Sequence, residues 1–339
     1  RNYKQSENSL TPHFSIEPEK GYLYANNIGT TLGMTGTLHP SDEAITISDL
    51  SLSEGDLAGF NLVGNPFACN ATIDRPAYVI SGRNVVAYTG GTKVIAPCEG
   101  VMVQADAEHT SVTFTKAMTA SQTSQAGNSS LQVVLSQSEA TTRGMEQIDN
   151  AIVSFNEEDR LEKFVFNADL SKLYIPQNGH DYAITFSEKQ GEMPLNFKAT
   201  EDGEYTITVN PENVEMAYLH LIDNLTGEDV DLLAPEPVEG PVSYTFTAKT
   251  TDYASRFRLV FSTSENTDGD TAFAFISNGN LIVTGEGTLQ IIDVLGRQLI
   301  TRELQTSYLQ LPTSFLPAGV YILRLINGEK VSTQKIVID

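Results

Sequence analysis

Between Leu131 and Phe261 apolar side chains recur at every second position, and this period of two constrains the fold more than any other feature. Leu131, Val133 and Leu135 alternate, as do Ala151, Val153 and Phe155, then Tyr182, Ile184 and Phe186. The pattern repeats at Tyr205, Ile207 and Val209, at Val242, Tyr244 and Phe246, and at Phe257, Leu259 and Phe261. Successive side chains of a strand point to opposite faces, so each set lines one face of a sheet. The intervening residues are mostly Thr, Ser, Gln and Arg, which predicts a wet opposite face. Roughly eight or more such strands in about 130 residues predict a β-sandwich of jelly-roll size. One helical turn is expected at Glu157–Lys163, where charged residues cluster.

The flanking regions speak the same language. Up to about residue 120, short apolar runs such as Phe60 to Val63, Tyr78 to Ile80, Val85 to Tyr88 and Val101 to Val103 are punctuated by Asn65-Pro66 and Gly90-Gly91. Proline forces the preceding residue into extended backbone, and the Gly pair is a hairpin signal. No sustained helical period occurs there. Small and polar stretches at 117–130 and 263–271 read as linkers. The expected domains are therefore a β-rich domain at 1–120, a jelly-roll-like sandwich at 121–265 and a small antiparallel sandwich at 266–339. The fold class is all-β.

Charge narrows the partners. The 339 residues carry 43 Asp and Glu against 21 Lys and Arg, a formal net charge of -22. Such a surface repels phosphate backbones and anionic lipid, so nucleic acid and membrane surfaces are poor partners. No apolar run is long enough for a membrane span. No signal peptide is visible, and Arg1 opens a polar stretch, as in a mature or truncated product.

The last seventy or so residues carry three motifs in order. Val294-Leu295-Gly296-Arg297-Gln298-Leu299 follows an apolar strand, Pro317-Ala318-Gly319-Val320-Tyr321 opens another, and Gly328 to Lys335 leads into Ile336-Val337-Ile338. Pro317 fixes its own backbone, and Gly319 is expected to allow a sharp turn after it. Tyr321, Leu323 and Leu325 then face one way. Asn327-Gly328 is a strong two-residue hairpin signal. Together these segments resemble the C-terminal sorting domains of type IX secretion substrates. The resemblance implies an immunoglobulin-like fold, a sorting role for Gly296, Pro317, Gly319, Tyr321, Gly328 and Lys335, and the secretion or surface-attachment machinery as partner. It further implies the extracellular space or outer-membrane surface of a Gram-negative bacterium. An immunoglobulin-like domain without a sorting role is the plain alternative. Segments of the first half, Gly21 to Ala25, Phe60 to Phe67 and Pro97 to Val103, resemble stretches of large surface proteins from such bacteria. That likeness implies the C-terminal part of a longer precursor. Asp270-Thr271-Ala272 looks like their O-glycosylation acceptor, placing a sugar on Thr271.

Residues able to do chemistry are sparse. Cys69 and Cys98 rule out Cys-x-x-Cys zinc and redox motifs. In an oxidising compartment a disulfide between them would close a loop of roughly thirty residues and contribute about 3–4 kcal/mol; otherwise they are two buried thiols. His13, His39, His109 and His180 sit in polar contexts, and His220 shares a strand face with Tyr218. None lies at metal-ligand spacing from another. Glu157, Glu158 and Asp159 read as a charged turn. The acidic groups around Asp268 and around Asp223, Glu228, Asp229 and Asp231 match no EF-hand loop, so hairpin turns and linker are expected in place of calcium sites. No nucleophile elbow or phosphate loop is present. The expectation is a non-catalytic protein without cofactor or metal, of structural or adhesive character, with a host or glycan surface ligand. The rival is a carbohydrate-binding module using the 131–262 sandwich, weakened by the absence of Trp, though Tyr88, Tyr174 and Tyr253 could present rings to a sugar.

Overall fold

The computed structural model describes residues 20–22, 44–55, 57–81, 84–117, 128–137, 147–165, 168–233, 242–263, 273–277, 279–304 and 308–338. These residues are almost all strand and turn, with mostly antiparallel pairing and a parallel pair where β9 meets β12. The all-β expectation holds. The chain divides into two compact units, 1–74 with 94–122, and 75–93 with 123–339.

The early strands are β1 (Ile45–Ile47), β2 (Phe60–Gly64), β3 (Ala71–Ile73), β4 (Ala77–Ser81), β5 (Asn84–Tyr88), β6 (Gly100–Gln104) and β7 (Val112–Lys116). In the first unit β2 pairs with β6, and β7 is flanked by β1 and β3. The Asn-Pro turn expected at Asn65 forms and is tied by the asparagine itself. Its Nδ2 donates to the carbonyls of Cys69 (2.9 Å), Ile95 (2.9 Å) and Ala96 (3.1 Å), while Oδ1 accepts from Phe67 N–H at 2.9 Å. Cys69 and Cys98 are unbonded and exposed, not buried.

β4 and β5 form a hairpin that belongs to the second unit. Its last pair is Ser81 with Asn84, and Gly90-Gly91 sits in a separate turn after β5. The second unit continues with β8 (Ser130–Gln137), β9 (Asp149–Ser154), β10 (Leu161–Glu162), β11 (Lys172–Gln177), β12 (His180–Phe186), β13 (Gln190–Lys198), β14 (Gly203–Glu212), β15 (Met216–Asp223), β16 (Glu228–Asp231), β17 (Ser243–Ala248) and β18 (Phe257–Thr263). They join in one path, β16-β15-β18-β13-β11-β12-β9-β8-β14-β17, with β10 beside β12.

The path doubles back on itself. Phe197 on β13 meets Tyr205 on β14 edge-on at 5.1 Å and Phe246 on β17 at 5.3 Å, and Phe246 meets Phe257 on β18 at 4.8 Å. Leu131, Val133, Leu195, Ile207, Leu221 and Leu259 are fully buried in the shared core. This is two sheet faces packed on each other, as the period of two demands. The helical turn expected at Glu157–Lys163 is absent. A tight turn ends at Asp159, whose N–H bonds to Asn156 O at 3.1 Å, and Leu161–Glu162 becomes a strand. Pairing with β12 wins over local charge clustering because it satisfies backbone groups beside a filled core.

The wet outer face is only partly observed. β9 is buried at every position, and on β15 every residue from Ala217 to Asp223 is buried. β5 lies against β9 and β12. Asn150 on β9 fastens it, accepting from Ala87 N–H at 3.0 Å and donating to Ala87 O at 2.9 Å. Tyr78 on β4 donates to Glu162 O at 2.7 Å and accepts from Phe164 N–H at 2.9 Å. Burial pushes the Tyr78 hydroxyl pKa well up, so it stays a neutral donor.

The remaining strands are β19 (Ala274–Ser277), β20 (Asn280–Thr284), β21 (Gly287–Asp293), β22 (Gln298–Leu304), β23 (Tyr308–Pro312), β24 (Gly319–Asn327) and β25 (Lys330–Ile338). They form two sheets, β19-β20-β23 and β22-β21-β24-β25. Leu281, Val283, Leu289, Ile291 and Leu323 are fully buried between them. Seven strands split three and four in this order give the immunoglobulin-like sandwich that the motifs implied.

Candidate functional site in the C-terminal module

The three motifs of this module are three turns, each built by a different device. Asp293 ends β21 and turns the chain with its own carboxylate. Its Oδ1 accepts from Leu295 N–H and Arg297 N–H at 2.9 Å each, and its Oδ2 accepts from Arg297 Nε at 2.7 Å. The Arg297 N–H holds the Asp293 carboxyl below the usual range, outweighing burial, with help from the Arg297 side chain and Leu295 N–H. Gly296 closes the turn at φ +80°, a left-handed conformation that favours glycine, and a Cβ there would meet nothing within 4 Å. The carboxylate thereby aims Val294 and Leu295 outward, 73% and 75% exposed.

The Pro317 motif serves Tyr321. The Tyr321 hydroxyl donates to Pro317 O at 2.6 Å, four residues back. This is the tyrosine corner of immunoglobulin-like sandwiches, at the start of a core strand. The sandwich repeats it: Tyr205 at the start of β14 donates to Glu201 O at 2.9 Å. Gly319 departs from expectation. It has no positive φ and begins β24 opposite Ile338, with the Tyr321 ring 3.8 Å from where a Cβ would be. The sharp bend thus does not use glycine's conformational freedom.

The closing hairpin is shifted by one residue. Asn327 pairs with Lys330, so Gly328 and Glu329 are the central residues, not Asn327 and Gly328. Positive φ at the first of them alone, +60° at Gly328, is the pattern of a II′ turn. Lys335 lies exposed on the outer face of β25, opposite Ile322.

Sequence reasoning missed Gln334. Its Oε1 accepts from Phe273 N–H at 2.8 Å and Ala274 N–H at 2.9 Å, and its Nε2 donates to Ala274 O. An amide thus acts as one more strand partner, tying the module's entry to its last strand. The alternation of β25 puts Gln334 on the inner side, and a polar residue in that phase was the available signal. Thr271 lies outside the described residues, as do His13 and His39.

Elsewhere several acidic groups among the described residues are engaged in internal bonds. Asp223, fully buried, accepts from Arg256 Nη2 at 2.8 Å and from Leu225 N–H at 2.9 Å. Arg256 also donates to Thr247 O at 2.9 Å, and its guanidinium lies 4.6 Å from the Phe246 ring centre and 5.2 Å from that of Phe257. Burial works to raise the Asp223 carboxyl, but the bond from Arg256, the Leu225 N–H and Tyr244 outweigh it and hold the pKa low. Tyr244 donates to Asp223 Oδ2 at 3.1 Å and Glu228 Oε2 at 2.8 Å, linking the two ends of the strand path. Burial and then the Glu228 bond push its hydroxyl up to about 12. Asp159 is buried, not a solvated turn residue, and takes bonds from Ser154 Oγ at 2.6 Å and Asn128 Nδ2 at 2.9 Å. Asp149 pairs with Lys163 Nζ at 2.6 Å, and His220 Nδ1 lies 2.7 Å from Asp229. Among the described residues no group of three or more His, Cys, Asp or Glu is placed to hold a metal, and no helix is long and apolar enough to cross a membrane. Of the three tyrosines considered for sugar contact, Tyr253 is exposed, whereas Tyr88 and Tyr174 are half-buried.

Comparison with curated proteins returns no match. Residues 274–339 match the family described as Secretion system C-terminal sorting domain, and the two-sheet module at the end of this chain is such a domain, directing export by type IX secretion to the surface or exterior of a Gram-negative bacterium.

Proposed function

We propose that this is a non-catalytic surface protein of structural or adhesive character, exported by its last domain and presenting its β-rich units outside the cell. The observation that carries this reading is where the strong polar groups go. Asp223 and Arg256, Asp149 and Lys163, and Asp159 and Ser154 are buried in mutual bonds that fasten strands and turns. Groups so engaged serve rigidity, whereas catalytic groups must be free to change partners during a reaction. The acidic surface suits a salty exterior, where screening softens self-repulsion.

The test is a binding screen with the purified chain against immobilised extracellular-matrix proteins and a glycan array, run beside a panel of hydrolase substrates. Saturable binding to a protein surface without turnover is expected. Turnover of any substrate would overturn the non-catalytic reading. Selective glycan binding abolished by changes in residues 131–262 would establish the carbohydrate-binding rival in its place.

A further inference from the structure

The strands β15 and β18 bury side chains on both faces, and the second face has an occupant. Leu219, Leu221, Leu259 and Phe261 point into the sandwich core, while Tyr218, Ile222 and Val260 are buried on the other side. What covers them is the three-stranded sheet of the sorting domain. Ile282 on β20 is 2% exposed there, with Phe275 and Tyr308 packed beside it. The Tyr218 ring meets Tyr308 edge-on at 4.6 Å and Phe275 at 6.2 Å, and His220, stacked on Tyr218 at 4.1 Å, meets Tyr308 at 5.6 Å. Polar groups border this patch. Ser277 Oγ donates to Glu192 Oε2 at 2.7 Å, and Glu192 Oε1 faces Arg258 Nε at 3.4 Å.

An aromatic centre bordered by polar groups is the anatomy of a protein–protein interface, with large rings as anchors. A domain merely tethered by a polar linker has no use for it, since the linker alone sets the local concentration. We propose that the sandwich is a standing non-covalent partner of the sorting domain: its β13-β15-β18 face holds the domain whether or not the chain between Thr263 and Phe273 is intact. The docked sheet is then closed to other proteins. A protein that engages the docked domain meets its second sheet and the turns beside it, where Val294, Leu295, Val331 and Val337 are exposed. This inference is independent of what the sandwich binds outside the cell.

The experiment places a site-specific protease sequence between Thr263 and Phe273 of the full chain. After complete cutting, the two fragments are followed by gel filtration at micromolar concentration. Co-elution in one peak is expected, and separation of the unaltered fragments would overturn the proposal. Tyr218→Ala, which leaves the sorting domain's own sequence untouched, should abolish co-elution of the cut chain. So should Tyr308→Ala from the other side. If both cut variants still co-elute, the assigned interface is wrong. Circular dichroism of the uncut variants, expected to match the parent, separates loss of docking from loss of folding.

Discussion

Two residues hold more structure than their neighbours suggest. Asp223 is fully buried and takes charge-assisted bonds from Arg256. Removing one partner of a buried pair leaves the other uncompensated, so Asp223→Asn should cost about 3–5 kcal/mol in chemical denaturation at neutral pH. Its folded pKa is depressed, so the stabilisation is present above the unfolded value of about 4 and is lost as pH falls through the folded one. The gap between parent and variant should therefore narrow below about pH 4; a gap that stays constant would show that the carboxylate's charge is not what matters. Tyr321 tests the corner. Tyr321→Phe keeps the ring and removes the bond to Pro317 O, for an expected loss of about 1 kcal/mol. No change in the denaturation midpoint would show that the hydroxyl bond adds nothing net.

At the scale of the element, the strands owe their boundaries to turns that the backbone permits at few places. Gly287 opens β21 at φ +115°, and a Cβ there would lie 2.1 Å from Ile326 O. Gly287→Ala should destabilise the sorting domain by about 1–3 kcal/mol or more, read as a lower melting temperature of that domain, because strain and overlap with backbone add. An unchanged transition would mean that β24 yields at Ile326. Both tyrosine corners share a Gly-x-Tyr pattern, Gly203-Glu204-Tyr205 and Gly319-Val320-Tyr321. Gly319-Val320-Tyr321 belongs to a motif legible in the sequence, whereas nothing marks Gly203-Glu204-Tyr205 there, since Tyr in the apolar phase of a strand is accounted for by core packing alone. The II′ turn at Gly328 was misplaced by one residue because Asn-Gly favours a different turn type locally, and register with β25 decided between them.

At the scale of the molecule, the sorting domain governs where the chain goes. Deleting Pro317–Asp339 removes β24 and β25, and the protein should then accumulate inside the cell, as followed by surface labelling with fractionation. Unchanged surface exposure would remove the sorting role of these strands. The sequence by itself determined the all-β class, the paired core faces and the motif order of the last domain, because alternation and turn residues act locally along the chain. It did not determine which outer faces stay wet. Val260 reads as the outward phase of its strand, yet it is buried with Tyr218 and Ile222 under the sheet β19-β20-β23. Nor did it pair Asp223 with Arg256, thirty-three positions away, or Asn150 with Ala87, sixty-three away. Those partnerships depend on how sheets stack, and stacking brings together residues whose spacing along the chain carries no period. Tertiary structure alone decided that acidic residues near a hairpin became an internal clamp, and that the domain carrying the export signal is packed against the sandwich.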